Sequence, residues 1–87
     1  MKDIRDTVIA ALNKATGVLN DPEHARPLLA GKDLAFGDFD MDSLSLFEVI
    51  MDLEQRLDLE LDADKVAATG SVAGLVAHLQ AMTDGKV

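Results

Sequence analysis

Eighty-seven residues with no cysteine and a hydrophobic fraction of 48% fit a single small domain, spanning 1–87, with a modest core in which every apolar residue counts. A formal charge of −8, from sixteen acidic residues against eight basic ones, argues against nucleic acid or an anionic membrane surface as partner and for basic proteins. The missing cysteines exclude a disulfide framework, a thiolate metal site and a cysteine nucleophile, and the separated His24 and His78 do not make a metal cluster.

The opening residues Met1-Lys2-Asp3-Ile4-Arg5-Asp6 mix charges, and no apolar run is long enough to span a bilayer. A cytoplasmic protein with no membrane insertion is therefore expected. From Asp3, a possible cap, Ile4, Val8, Ala11, Leu12 and Ala15 recur at helical spacing as far as Gly17, which suits the left-handed position after a helix. These residues predict a first helix from Ile4 to Thr16. Between Val18 and Asp42 the periodicity breaks at Asn20-Asp21-Pro22, Arg26-Pro27, Gly31 and Gly37, while Leu28, Leu29, Leu34, Phe36 and Phe39 supply apolar anchors. Structureless loops of this length are uncommon in compact domains, so a short helical turn near Pro27 to Ala30 and burial of several anchors are expected.

A second, longer helix follows Asp42-Ser43. With Leu46 at zero and about 100° per residue, Val49, Ile50, Leu53 and Leu57 fall within roughly 60° of it and form a core stripe. Leu44, Phe47 and Met51 lie roughly 100° to 160° away, flanked by Glu48, Glu54 and Gln55. This second stripe is either covered by a neighbouring helix or loop, or left as an exposed apolar strip rimmed by carboxylates, the form of a docking surface. The acidic rim favours docking.

Beyond it, Leu57-Asp58-Leu59-Glu60-Leu61 alternates like a strand but has no second strand pattern to pair with, so it reads as an extended connection. Asp62 caps a short third helix that ends at Gly70. Ser71 then precedes Val72, Leu75, Val76 and Leu79, the stripe of a fourth helix. Gly74, with Ala73 and Ala77, marks either a close helix contact or a tolerated flaw costing about 1 kcal/mol. The tail 83–87 is expected to fray.

Between residues 38 and 64, Asp38, Asp40, Asp42, Glu48, Asp52, Glu54, Asp58, Glu60, Asp62 and Asp64 are opposed only by Arg56. Such uneven sign steers basic partners through fast, salt-sensitive encounters. Asp38, Asp40 and Asp42 have the alternate spacing of a calcium loop, but Ser43 and Val49 stand where that loop needs Gly and Glu.

Ser43 has a plain role open to it as part of a helix cap, with Asp42 or itself accepting from the first free amides, and Ser45 with Glu48 has capping-box spacing. A hydrolase is disfavoured, because no base, orienting group or nucleophile elbow accompanies the serine. Taken together, Phe39-Asp40-Met41-Asp42-Ser43-Leu44, the acidic helix after it, Leu57 to Leu61, and Ser71-Val72 opening a last helix resemble the acyl carrier protein family over nearly the whole chain. The resemblance implies an all-α four-helix bundle, with a long loop between the first two helices and a short third helix. It also implies a noncatalytic carrier on which Ser43 receives 4′-phosphopantetheine from coenzyme A and bears an acyl thioester, the arm bringing the thiol that the chain lacks. Asp42 would assist recognition by the phosphopantetheinyl transferase. Leu44, Glu48, Met51 and Glu54 occupy positions like those of the family's partner face, where the helical wheel also places Phe47. Acyl-loading and acyl-processing enzymes with basic docking patches are the implied partners of a monomeric carrier.

Several positions depart from the family. Asp40 stands where Gly is usual, Ser45 and Gln55 replace commonly acidic residues, and the loop from Val18 to Asp42 is longer and more proline-interrupted, which points to a specialised carrier. A peptidyl or aminoacyl carrier is the nearest alternative, although the Gly-Gly-x-Ser context that would favour it is missing. An unmodified helical interaction module is the other. Cargo would enter the core only if the last three helices parted around Val49, Ile50, Leu53, Leu61, Val66, Val76 and Leu79.

Overall fold

The computed structural model describes residues 4–39 and 41–84. Helix α1 (Ile4–Thr16) has the expected bounds and packs against both long helices that follow it, α3 (Ser43–Leu57) and α5 (Val72–Asp84). Val8, Ala11 and Leu12 of α1 are fully buried, as are Val49 and Leu53 of α3 and Val72, Leu75 and Leu79 of α5. One apolar cluster thus joins the three helices, and Val66 of the short α4 (Ala63–Ala68) closes it. Gly17 takes the left-handed conformation at φ 71°, and its N–H donates to the Asn13 carbonyl at 2.8 Å, a stop that a side-chain-bearing residue would make under strain.

The all-α bundle contains one helix more than expected. Helix α2 (Pro22–Leu29) occupies the long loop, so the short turn placed near Pro27 to Ala30 in fact starts at Pro22 and carries Pro27 inside it. Its start is locally encoded, because Asp21 accepts from the Glu23 N–H at 3.0 Å and Pro22 stands in the first turn, where its missing N–H costs nothing. Pro27 removes the bond to the Glu23 carbonyl, at a residue exposed to water. Of the anchors, Leu28 and Phe39 are buried and Leu34 and Phe36 half-buried, but Leu29 is exposed.

Two longer-range interactions hold this loop to the bundle. The Arg5 guanidinium donates to the Leu28 and Lys32 carbonyls at 3.0 and 2.6 Å. At the start of α5, the Val72 N–H donates to the Leu34 carbonyl at 2.9 Å, the Ala73 N–H to Asp33 Oδ1 at 2.7 Å, and the Gly74 N–H to Ser71 Oγ at 3.1 Å. The Phe36 N–H returns a bond to the Gly70 carbonyl at 3.0 Å, completing an isolated bridge between Ala35 and Ser71. Amides unpaired at a helix start are thereby satisfied by a loop some forty positions away. The Ala73 N–H also holds the Asp33 carboxyl below the usual carboxylate range.

The connection from α3 to α4 is extended as expected, with Asp58 in the left-handed region at φ 52° and Asp62 capping α4 through the Asp64 N–H at 2.9 Å. Helix α5 continues through Thr83 and Asp84, two residues of the tail expected to fray; 85–87, like Asp3 and Asp40, lie outside the described residues. The contact read at Gly74 is not between helices, since Ala73 and Ala77 are exposed. A Cβ on Gly74 would instead come within 2.4 Å of the Thr69 carbonyl oxygen. Alanine at this site gains about 1 kcal/mol of helix propensity but overpacks backbone, which typically costs about 1–3 kcal/mol. Gly74→Ala is therefore expected to lower the urea midpoint with an unchanged slope; an equal or higher midpoint would show that the turn yields freely.

Candidate functional site

Helix α3 begins at Ser43 because Asp42 caps it. Asp42 is extended at φ −85° and ψ −179°, its Oδ1 accepts from the Ser45 N–H at 2.8 Å, and its carbonyl accepts from Leu46 at 2.9 Å. Ser45 is thus the third residue of the helix, and the capping-box spacing it forms with Glu48 is not used. The bond from Ser45 is also the main reason the Asp42 carboxyl sits below the usual carboxylate range.

Ser43 itself is exposed, and among the described residues its hydroxyl has no hydrogen-bond partner. The contrast with α5 is physical. There the first amides are taken up by Leu34, Asp33 and Ser71, whereas at α3 the Ser45 and Leu44 amides turn to the adjoining Asp42 carboxylate and no distant segment closes over the helix start among the described residues. A phosphodiester on Ser43 fits this place, since the serine is exposed and the positive end of a fifteen-residue helix favours an anion. Asp42 opposes that electrostatically, but its charge is drawn toward the Ser45 amide.

Along α3 the two stripes separate. Val49, Ile50 and Leu53 are buried, with Leu46 and Leu57 half-buried beside them. Leu44, Phe47 and Met51 remain 69%, 53% and 56% exposed, so no element among the described residues covers the second stripe. Glu48 lies exposed next to it with no ion pair among the described residues. Glu54 differs: it is half-buried and its Oε2 accepts from the Leu61 N–H at 2.9 Å, so it also braces the connection to α4. Asp52 is neutralised locally by Arg56 at 2.6 Å and Lys14 at 3.6 Å.

A family model described as the phosphopantetheine attachment site matches residues 6–79. The chain belongs to this family. No curated protein and no solved structure matches it. The family carries covalently attached 4′-phosphopantetheine, its members are generally noncatalytic carriers, and carriage of the arm implies dealings with a phosphopantetheinyl transferase and with partner enzymes. No helix among the described residues is long and apolar enough to cross a membrane.

Other features around this carrier's site carry no local signal. Asp33 and Arg5 hold the loop that leads to Ser43, yet each does so through contacts 23 to 40 positions away in the chain. Phe36, Gly37, Phe39 and Met41 line a groove ending at Asp42; the sequence marks the aromatics only as anchors.

A carboxyl held low by folding stabilises the fold fully above its unfolded value, and that contribution is lost as the pH falls through the folded one. Side-chain carbon NMR of Asp42 should therefore give a midpoint below the usual carboxylate range, and the Ser45 amide proton should shift upfield with the same midpoint. An ordinary midpoint at Asp42 would remove the cap from the account of this helix start.

Proposed function

We propose that this protein is an acyl carrier bearing 4′-phosphopantetheine on Ser43, which moves an acyl thioester between enzymes of fatty-acid or specialised polyketide or lipid synthesis, as a cytoplasmic monomer. The observation that carries this reading is the exposed, unpartnered Ser43 hydroxyl at the capped start of α3, inside the matched family region. In the modification, Ser43 Oγ bonds to the phosphorus bearing pantetheine, the bond from that phosphorus to the rest of coenzyme A breaks, and adenosine bisphosphate leaves. The serine proton passes to a base of the transferase. The attached arm supplies the thiol on which the acyl group is held.

The exposed strip of Leu44, Phe47 and Met51, rimmed by Glu48 and, in part, Glu54, supports docking by enzymes with basic patches. Apolar contact provides affinity, and the carboxylates hasten encounter while leaving release fast. Asp42, beside the serine, and Leu44, which follows it, would be met by the transferase. The side chains read as a cargo cavity are all buried except Leu61 and belong to one packed cluster, so cargo entering there must displace core contacts.

Incubation with coenzyme A and a broad-specificity phosphopantetheinyl transferase should add one phosphopantetheine to the wild type by intact mass and none to Ser43→Ala. An unmodified wild type, alongside a control carrier that gains mass, would leave only the helical interaction module. Loading the modified form with acyl or aminoacyl groups then separates acyl from peptidyl carriage. Glu48→Lys is expected to slow modification several-fold at low salt, to converge on wild type at high salt, and to leave the thermal midpoint nearly unchanged, because exposed charges contribute little stability. Equal rates at low salt would take Glu48 out of the docking surface.

A further inference from the structure

The loop joining α2 to α3 does more than connect them. Phe36 and Phe39 meet edge to face with ring centroids 6.2 Å apart, and the His24 ring lies 6.2 Å from Phe39 on its other contact. Phe39 is buried and so anchors this cluster, while Phe36 and Met41 are half-buried and Gly37 is exposed. Together with Asp42 they line a shallow groove of about 490 Å³. The bonds of Leu34, Asp33 and Phe36 to the turn before α5 and its first residues hold the wall in place.

The groove lies next to the attachment residue. Asp42 is part of its lining and is bonded to Ser43, about 3.8 Å away between Cα atoms. A second surface groove, lined by Glu54, Asp58, Leu59, Glu60 and Met82, carries three carboxylates and starts eleven residues further along α3, about 16 Å by helical rise. A 4′-phosphopantetheine chain has its charge at the phosphate and, next to it, an uncharged segment with two methyl groups on one carbon, a hydroxyl and an amide. The exposed edges of Phe36 and Met41 offer the two methyl groups apolar contact one residue from the phosphate, the polar part of the lining suits the hydroxyl and the amide, and the Asp42 carboxylate can accept from the hydroxyl. Tethering keeps the local concentration high, so a weak contact is enough to populate it.

Resting on the assignment of Ser43 as the attachment point, we propose that the groove of Phe36, Gly37, Phe39 and Met41 seats the dimethyl segment of the phosphopantetheine arm. Held there, the first part of the arm would lie against the α2–α3 loop, next to the start of α3. Docking of an enzyme on Leu44 and Phe47 would then meet an arm already gathered at the start of the helix.

Gly37 allows a clean test, because a Cβ there would meet nothing within 4 Å and its φ is outside the left-handed region. A leucine side chain has room there, beside the groove that Gly37 helps to line. The protein is loaded from coenzyme A by the transferase, its mass gain verified, and proton NMR recorded for wild type and Gly37→Leu, with the amide spectrum of the unloaded variant confirming its fold. Loaded wild type should show nuclear Overhauser contacts from the arm's methyl protons to the Phe36 and Phe39 ring protons and the Met41 methyl, and loaded Gly37→Leu should lose them. Loaded wild type without those contacts, or with contacts to Leu59 and Met82 instead, overturns the groove assignment and leaves Ser43 modification standing. No mass gain on wild type overturns both.

Discussion

The first amides of α5 have no acceptors one turn back in their own helix, and the loop before α3 provides two of them. Leu34 offers a carbonyl and Asp33 a carboxylate, while Gly70 accepts in return from Phe36. Leaving such donors unpaired at a packed helix start is costly, so the loop is drawn across the bundle. Arg5 fixes its earlier part from α1 through two carbonyls. A connection of more than twenty residues, which would otherwise wander, thus delivers Phe36, Phe39 and Asp42 to one place.

From there the site follows by local rules. Asp42 has extended backbone and a side chain that reaches the Ser45 amide, so α3 starts at Ser43, not before or after. The serine is therefore presented on the rim of the helix dipole and outside the core. Burial of Val49, Ile50 and Leu53 against α1 then sets the rotation of α3, and that rotation leaves Leu44, Phe47 and Met51 in water. The proposed attachment point and docking face lie on one helix whose orientation is decided by residues that take no part in either.

Charge distribution separates roles in the same element. Asp52 is paired with Arg56 and Lys14 and Glu54 with the Leu61 amide, which ties both to the fold. Glu48 has no such partner among the described residues and stays exposed, available to steer a basic surface. An acidic run that looks uniform in sequence is in this way divided into carboxylates that hold the structure and carboxylates that stay in water.

The bounds of α1, the two stripes of α3, the cap at Asp62 and the start of α5 are legible in the residues alone, because periodicity, capping and glycine stops act within a few residues of one another; at α3 the same rules left the cap open between Asp42 and Ser43. The sequence also marked Ser43, through its order among the other elements. The start of α2 was encoded too, in Asp21-Pro22-Glu23, but two prolines obscured the helix. It took the folded bundle to show that no described residue covers the second stripe of α3, that Glu54 is committed to Leu61, that Gly74 faces a carbonyl and not another helix, and that the loop is fastened to α5. Each of these depends on which surfaces meet across the bundle, through contacts between parts of the chain far apart in sequence, where local spacing carries no information.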